Sequence, residues 1–472
     1  MLSSILNQLK KRKLLRQLEL AHSFIITSGC IRDESILSEL ITATVAASFR
    51  SDYPLRIISG ERVFFWNLFI RSTSAGKNPN DSFKAFALML RRGVIPDHLT
   101  YPFLMRAAAR LVRIELGKAV HSLLLRNGFS LDVYASNSTV HMYGSCGDMA
   151  SARKVFDQMC HRNVVAWNSL LDGYAKNGDV NTARNVFDEM PHRDIVSWSS
   201  MIDGYVKSKD AYSAIAVFEE LLEGGPSPNE VTMVSALRAC AMLCDIDKGK
   251  TMHRYVKERG LRMSLELRTS LIDMYAKCGD MVEALAVFRA SDTRDVLMWN
   301  AVIGGLGSHG MVKEAMDLFG EMVGSVEPDD ITYLSLLSAC AHAGMVEEAR
   351  GLFGSIKEPK DEHYACLVDA MARAGEVEEA LGMVKGMRAR GSASMLGAVM
   401  SGCMRYGKTQ IGEEVGKRLV EVDPEHDGRY IGLANVYADL MRWDKVDALR
   451  KTMERNRVKK CAALSLATTN YS

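Results

Sequence analysis

Residues 164–194 read VVAWNSLLDGYAKNGDVNTARNVFDEMPHRD, and this stretch decides the fold. Trp167, Leu170, Leu171 and Tyr174 recur at i, i+3, i+4 and i+7, the spacing of one helix face. Gly178 is the residue type that enters the left-handed region at a helix end, and Asp179 is placed to cap the next helix. In that second helix Val180, Ala183, Phe187 and Met190 share a face, and Pro191 with the polar His192, Arg193 and Asp194 ends it. The unit is a helical hairpin.

Two further stretches align with it without a gap: VYASNSTVHMYGSCGDMASARKVFDQMCHRN over 133–163 and LELRTSLIDMYAKCGDMVEALAVFRASDTRD over 265–295, each 31 residues long. A hairpin of this size cannot bury its apolar face alone, so neighbouring copies must cover it. The expected fold class is therefore all-α, a solenoid of stacked helix-turn-helix units. It replaces the roughly three globular domains that 472 residues would otherwise suggest.

Ten prolines and 7% aromatic residues suit such a chain, and a formal charge of +2 decides nothing about nucleic acid. The ten cysteines include no CxxC. Cys278 and Cys340 stand where sibling units carry other small residues, so buried free thiols in a reducing compartment are expected, not metal ligands or disulfides. No apolar run reaches the roughly 18 residues of a membrane span, so no membrane association is expected.

The units follow one another without a linker. Residues 1–62 read as two degenerate repeats. Their acid-free start, with Lys10, Lys11, Arg12, Lys13 and Arg16, suits a short organelle-targeting region. Clear units then occupy 63–97, 98–132, 133–163, 164–194, 195–229, 230–264, 265–295, 296–329, 330–360 and 361–392. Two further hairpins fill 393–426 and 427–460, and 461–472 carries no pattern and is expected to be an unstructured tail.

This alternation of 35-, 35- and 31-residue units, with WNSLLDGYAKNGD, TYPFLMRAAA and IDMYAKCGD opening them, resembles the plant pentatricopeptide-repeat (PPR) family, PLS subclass. Residues 393–460, with GLANVYADLMRWDKVDALRKTM, are similar to the extension motifs of the family's E group. The resemblance implies a right-handed α-solenoid superhelix of PPR repeats that reads one base of single-stranded RNA per repeat. The tetratricopeptide repeat, a protein-binding scaffold, shares W-x2-L-x3-Y but wants Gly directly after the Leu. Leu171, Ile272 and Met105 stand there instead.

In that family the fifth and last residues of each unit read the base. Uracil and guanine present an N–H at the central Watson–Crick position, which Asp can accept; adenine and cytosine present a bare nitrogen, which an Asn amide can donate to. A short Ser or Thr at the fifth place leaves room for a purine, and Asn suits a pyrimidine. The resemblance then implies U for Asn67 with Asp97, a pyrimidine, preferably C, for Asn137 with Asn163, and U for Asn168 with Asp194. It implies A for Ser199 with Asn229, G for Thr269 with Asp295 and U for Asn300 with Asp329. Pro102 with Asp132, Val234 with Ser264, Leu334 with Lys360 and Ala365 with Ser392 give no letter. The family's second residue, an apolar wedge between bases, is Phe64, Tyr134, Val165, Val196 and Leu297 here, and Glu266 breaks the pattern.

No catalytic residue, metal ligand or cofactor is expected. The zinc-deaminase signature, H-x-E with P-C-x-x-C, is missing, as are G-x4-G-K-[ST] and G-x-S-x-G. His161 and His192 read as incidental loop residues. The resemblance implies a plant organellar factor, mitochondrial or alternatively chloroplast, that specifies a cytidine for C-to-U editing and recruits a deaminase in trans through 393–460. A splicing, cleavage or stability factor is the alternative within RNA biology.

Overall fold

The computed structural model describes residues 15–28, 33–47, 55, 57, 58, 62–387, 392–456 and 458; Lys10, Lys11, Arg12, Lys13 and the tail 461–472 lie outside them. Among the described residues the chain forms twenty-six helices and no strand. The helices gather into two compact units, one ending at Leu243 and the other beginning at Cys244. Within each unit the first helix of a hairpin packs on its own second helix and on the first helix of the next hairpin, as an α-solenoid requires.

The helix bounds follow local chemistry. The helix Val164–Lys176 closes on Gly178 at φ +84°, where the Asp179 N–H donates to the Tyr174 carbonyl at 3.1 Å. Asp179 then accepts the Thr182 N–H at 3.1 Å and opens the helix Val180–Glu189, which ends two residues before Pro191. Trp167, Leu170, Leu171, Ala183 and Phe187 are buried between the helices so formed. Neighbouring first helices come close enough that a Cβ on Gly144 would lie 3.1 Å from the Gly173 Cα.

One junction recurs between successive hairpins. A phenylalanine of the second helix meets a tryptophan of the next first helix edge to face: Phe156 with Trp167 at 4.7 Å, Phe187 with Trp198 at 4.8 Å and Phe288 with Trp299 at 4.7 Å. Arg162, Arg193 and Arg294, from the loops between, lie 5.1, 4.6 and 4.7 Å over those phenylalanine rings. Their Nε groups donate to the carbonyls of the same phenylalanines, each of which also accepts the backbone N–H three residues on. At the other end of the first helices, Asn177 Nδ2 donates to the Gly144 carbonyl at 2.8 Å and Tyr406 Oη to the Arg373 carbonyl at 2.6 Å. Carbonyls near the end of one first helix are thus bonded by side chains from the end of the next.

The thiols depart from the expectation of uniform burial. Cys340 is buried within its helix, and burial pushes its pKa up to about 11. Cys278 sits half-exposed just past the end of Leu265–Lys277, and Cys160 and Cys244 are exposed. None of the eight cysteines among the described residues is in a disulfide.

Replacing Phe187 by Ala removes the ring that both Trp198 and Arg193 pack on. The first unit should lose about 3–5 kcal/mol, read as an earlier urea midpoint by circular dichroism, whereas Arg193→Ala should cost about 1 kcal/mol.

Candidate nucleic-acid interface

The last residue of a hairpin caps the first helix of the next. Asp132, Asn163, Asp194, Asp295 and Asp329 each accept, through a side-chain oxygen, the backbone N–H three residues on, at 2.7–3.0 Å. Asp97 does the same for Thr100 at 3.0 Å and Asn229 for Thr232 at 3.0 Å. Helix starts need such an acceptor, so these residues are held in place by folding alone.

Four of the six sequence-derived pairs are brought into direct contact across the hairpin. Asn67 Nδ2 donates to Asp97 Oδ1 at 2.8 Å, Asn137 Nδ2 to Asn163 Oδ1 at 3.1 Å, Asn168 Nδ2 to Asp194 Oδ1 at 3.0 Å and Asn300 Nδ2 to Asp329 Oδ1 at 2.9 Å. Asn67, Asn137 and Asn300 are buried between neighbouring first helices. Ser199 and Asn229 are joined only through Thr232, whose hydroxyl lies 2.7 Å from Ser199 Oγ and donates to Asn229 Oδ1 at 2.9 Å. Thr269 and Asp295 share no bond: the Thr269 hydroxyl donates to its own helix at Leu265 O, 2.8 Å away.

The sequence-level reading missed a third member of this cluster. Thr100, Ser197 and Thr332, the third residues of their units, donate their hydroxyls to Asn67, Asn168 and Asn300 Oδ1 at 2.7, 2.7 and 2.6 Å. The signal was a hydroxyl residue three places after an Asp, the spacing of a capping box.

In the three Asn–Asp clusters Oδ1 of the carboxylate takes the protein's bonds and Oδ2 receives none from a described residue. Each cluster keeps one carboxylate oxygen and the second N–H of the Asn amide without a partner among the described residues. Burial opposes the charge of Asp194 and Asp329, but the bonds from Asn168 or Asn300, from backbone N–H and from the hydroxyl outweigh it and hold both pKa values below the usual carboxylate value.

Along the same face stand the second residues. Phe64, Tyr134, Val165, Val196 and Leu297 are 50–61% exposed, and Leu99, Val231 and Ile331, not singled out from the sequence, are 39–61% exposed. Glu266 is exposed in the equivalent place. Asp172, Asp203 and Asp273, one turn beyond the fifth residues, pair with Lys176, Lys207 and Lys277 a further turn on, at 2.6–2.8 Å. Among the described residues no three His, Cys, Asp or Glu side chains converge as a metal site needs, and no helix is long and apolar enough to cross a membrane.

Comparison with known proteins places this architecture. The model described as PPR repeat matches residues 134–164, 268–291, 331–358 and 362–392, that of the PPR repeat family 162–195, 193–242 and 294–342, and that of the E motif 406–466. A pentatricopeptide repeat-containing protein of Arabidopsis thaliana is 49% identical over 466 residues, covering 96% of this chain and 87% of that protein. A second from the same plant is 41% identical over 464 residues, covering 95% and 75%, and a third, labelled mitochondrial, is 32% identical over 580, covering 99% and 85%. The chain belongs to the pentatricopeptide-repeat family, and its E motif marks it as an E-group protein. Among solved structures, maize PPR10 aligns at a TM-score of 0.62 with 16% identity over 97% of this chain and 74% of that one. PPR10 in complex with an 18-nt psaJ RNA element aligns at 0.74 with 18% identity over 96% and 68%.

Because the pKa of Asp329 is lowered on folding from 3.8, its contribution to stability is complete above pH 3.8 and is lost as the pH falls through the folded value. Asp329→Asn, which keeps the cap, should flatten the acid limb of a stability–pH profile below that value and leave its slope unchanged between pH 5 and 7, measured by circular dichroism.

Proposed function

We propose that the chain is a sequence-specific single-stranded RNA-binding protein in which the fifth and last residues of each unit read one base. The carrying observation is the repeated Asn–Asp bond, which leaves an amide N–H beside a carboxylate oxygen on the open face. That donor and acceptor complement the adjacent C=O and N–H of uracil. Asn163 turns an amide donor outward in place of the carboxylate, which suits the bare nitrogen of cytosine; Ser199 with Asn229 combines such a donor with room for adenine, and Thr269 with Asp295 an acceptor with room for guanine. The exposed second residues slot between successive bases, and Lys176, Lys207 and Lys277 exchange aspartate for phosphate. Relatives from a plant, one labelled mitochondrial, and a fold neighbour solved with RNA support this reading.

Residues 393–460, which overlap the E motif, dock a deaminase supplied by another protein, so the chain selects a cytidine for C-to-U editing without catalysing the reaction itself. It acts in a plant organelle, the mitochondrion before the chloroplast.

The reading is tested at the G pair. In Asp295→Asn the acceptor becomes a group that can donate, while Thr269 keeps the space for a purine. Preference should swing from G towards A by about one to two decades at the base immediately 5′ of the U read by Asn300 with Asp329. Affinities are compared at fixed salt for RNAs differing only there. Equal weakening for both bases refutes the assignment. Separately, removing 393–460 should abolish editing of the target transcript while RNA affinity stays within about threefold; loss of both together counts against a docking role.

A further inference from the structure

We propose that the third residue of the following unit is a specificity-determining positioning residue: its hydroxyl fixes which face of the preceding unit's Asn amide meets the base. The proposal rests on the base-reading function above, and concerns Thr100, Ser197 and Thr332, with Thr232 in a related role.

These hydroxyls do not touch RNA, since Thr100, Ser197, Thr232 and Thr332 are fully buried. Each is spent on both sides. Thr100, Ser197 and Thr332 accept the backbone N–H of Asp97, Asp194 and Asp329 at 3.1, 3.2 and 3.2 Å, and their single hydroxyl proton has the Asn oxygen 2.6–2.7 Å away as its nearest acceptor, ahead of the Asp Oδ1 at 2.9–3.0 Å. An Asn amide fills the same volume in either orientation, so its hydrogen bonds alone decide which end points where. Here the hydroxyl pins Oδ1 at one end and the carboxylate pins Nδ2 at the other. Inverting the amide would set Oδ1 against Asp Oδ1 and remove the nearer acceptor of the hydroxyl, leaving its proton only the Asp Oδ1 at 2.9–3.0 Å. The second N–H is therefore held beside the free carboxylate oxygen, the arrangement that separates uracil from cytosine.

An ordinary capping box explains the bond to the cap's backbone N–H, but not the one that crosses to a residue 29–33 positions earlier in the preceding unit. The pattern of occupancy points the same way. Hydroxyls at the third place follow four pairs, and all four are pairs with a legible letter; after the four pairs without one stand Ala135, Leu267, His363 and Met395.

Asn137 with Asn163 shows what the hydroxyl does by lacking it. Ala166 occupies the third place, and Asn137 Oδ1 is buried with no hydrogen-bond partner. That amide is held by the single 3.1 Å bond to Asn163. This unit should discriminate between pyrimidines less sharply than its Asn–Asp siblings.

The test uses the full chain and a synthetic single-stranded RNA carrying the assigned letters in order, varied only at the base under study. Thr332→Val keeps the shape and removes the hydroxyl. It should cut the U-over-C preference at the Asn300–Asp329 base by about tenfold, the scale of one well-placed base contact, leave preference at the Asn67–Asp97 base unchanged, and be rescued by Thr332→Ser. Ala166→Thr should sharpen C over U at the Asn137–Asn163 base by about fivefold on the same scale and raise the unfolding temperature. This second variant decides the matter if Thr332→Val fails to fold. A Thr332→Val protein that binds all four bases more weakly by one common factor, or an Ala166→Thr protein that gains stability without sharper preference, overturns the positioning role while base reading stands. A wild-type protein indifferent to the Asn300–Asp329 base overturns the base-reading function and this inference with it.

Discussion

The first N–H groups of a helix have no partner inside it, and in this chain the residue that satisfies them is the one proposed to read the base. Asp97, Asn163, Asp194, Asn229, Asp295 and Asp329 all cap a helix through a side-chain oxygen. Asp and Asn perform that task about equally well, yet they present opposite hydrogen-bonding groups to a base. A unit can therefore exchange acceptor for donor while its helix start stays intact. Ser264 and Ser392 cap in the same way with a hydroxyl, and at Lys360 the junction is built otherwise. Lys360 pairs its ammonium with Asp330 and donates its backbone N–H to His363 Nδ1 at 3.0 Å, leaving no carboxylate or amide to offer.

The buried aromatic junction and the polar cluster are neighbours by construction. Trp66, Trp167, Trp198 and Trp299 each immediately precede a fifth residue, Asn67, Asn168, Ser199 and Asn300. All four tryptophans are buried, the last three against a phenylalanine of the preceding helix. Locking the fourth residue into the junction sets the helix rotation, and rotation by one residue carries the fifth to the boundary between two first helices. Arg162, Arg193 and Arg294 hold the loop that delivers the cap. Apolar packing thus places the polar group, as a site on rigid elements requires.

The hairpins were legible because their signals are local: a glycine able to adopt φ +84°, an aspartate one residue on, and a 3.6-residue apolar period within 31 residues. The pairing of Asn168 with Asp194 was reachable through the resemblance, although they lie 26 residues apart. The rest depends on contacts between units. The Asn177 amide on the Gly144 carbonyl and the Thr332 hydroxyl on Asn300 span 33 and 32 residues. No periodicity announces them; they follow only once the register of one helix against the next is known. The arginines of the HRN, HRD and TRD loops were passed over for a similar reason, since a polar loop residue looks solvated until the ring beneath it is seen. Cys278 was misjudged by its position one residue past a helix end.

The proposed base reading divides stability and recognition between two atoms of one carboxylate. Oδ1 of Asp194 and Asp329 is surrounded by N–H and O–H donors from the protein, which lowers the pKa and fixes the side chain before any ligand arrives. Oδ2 carries the same charge but has no donor among the described residues. A base that brings an N–H to it meets an acceptor whose ordering cost was met during folding, so little of the contact is lost to immobilising the side chain. At Asn137 the balance is reversed. An oxygen was buried without a donor, at a cost of about 1–3 kcal/mol, because Ala166 stands where the sibling units place a hydroxyl. Beside that deficit the Asn163 cap and the aromatic junction around Trp167 are both present, so the helix start and its packing do not depend on the missing hydroxyl.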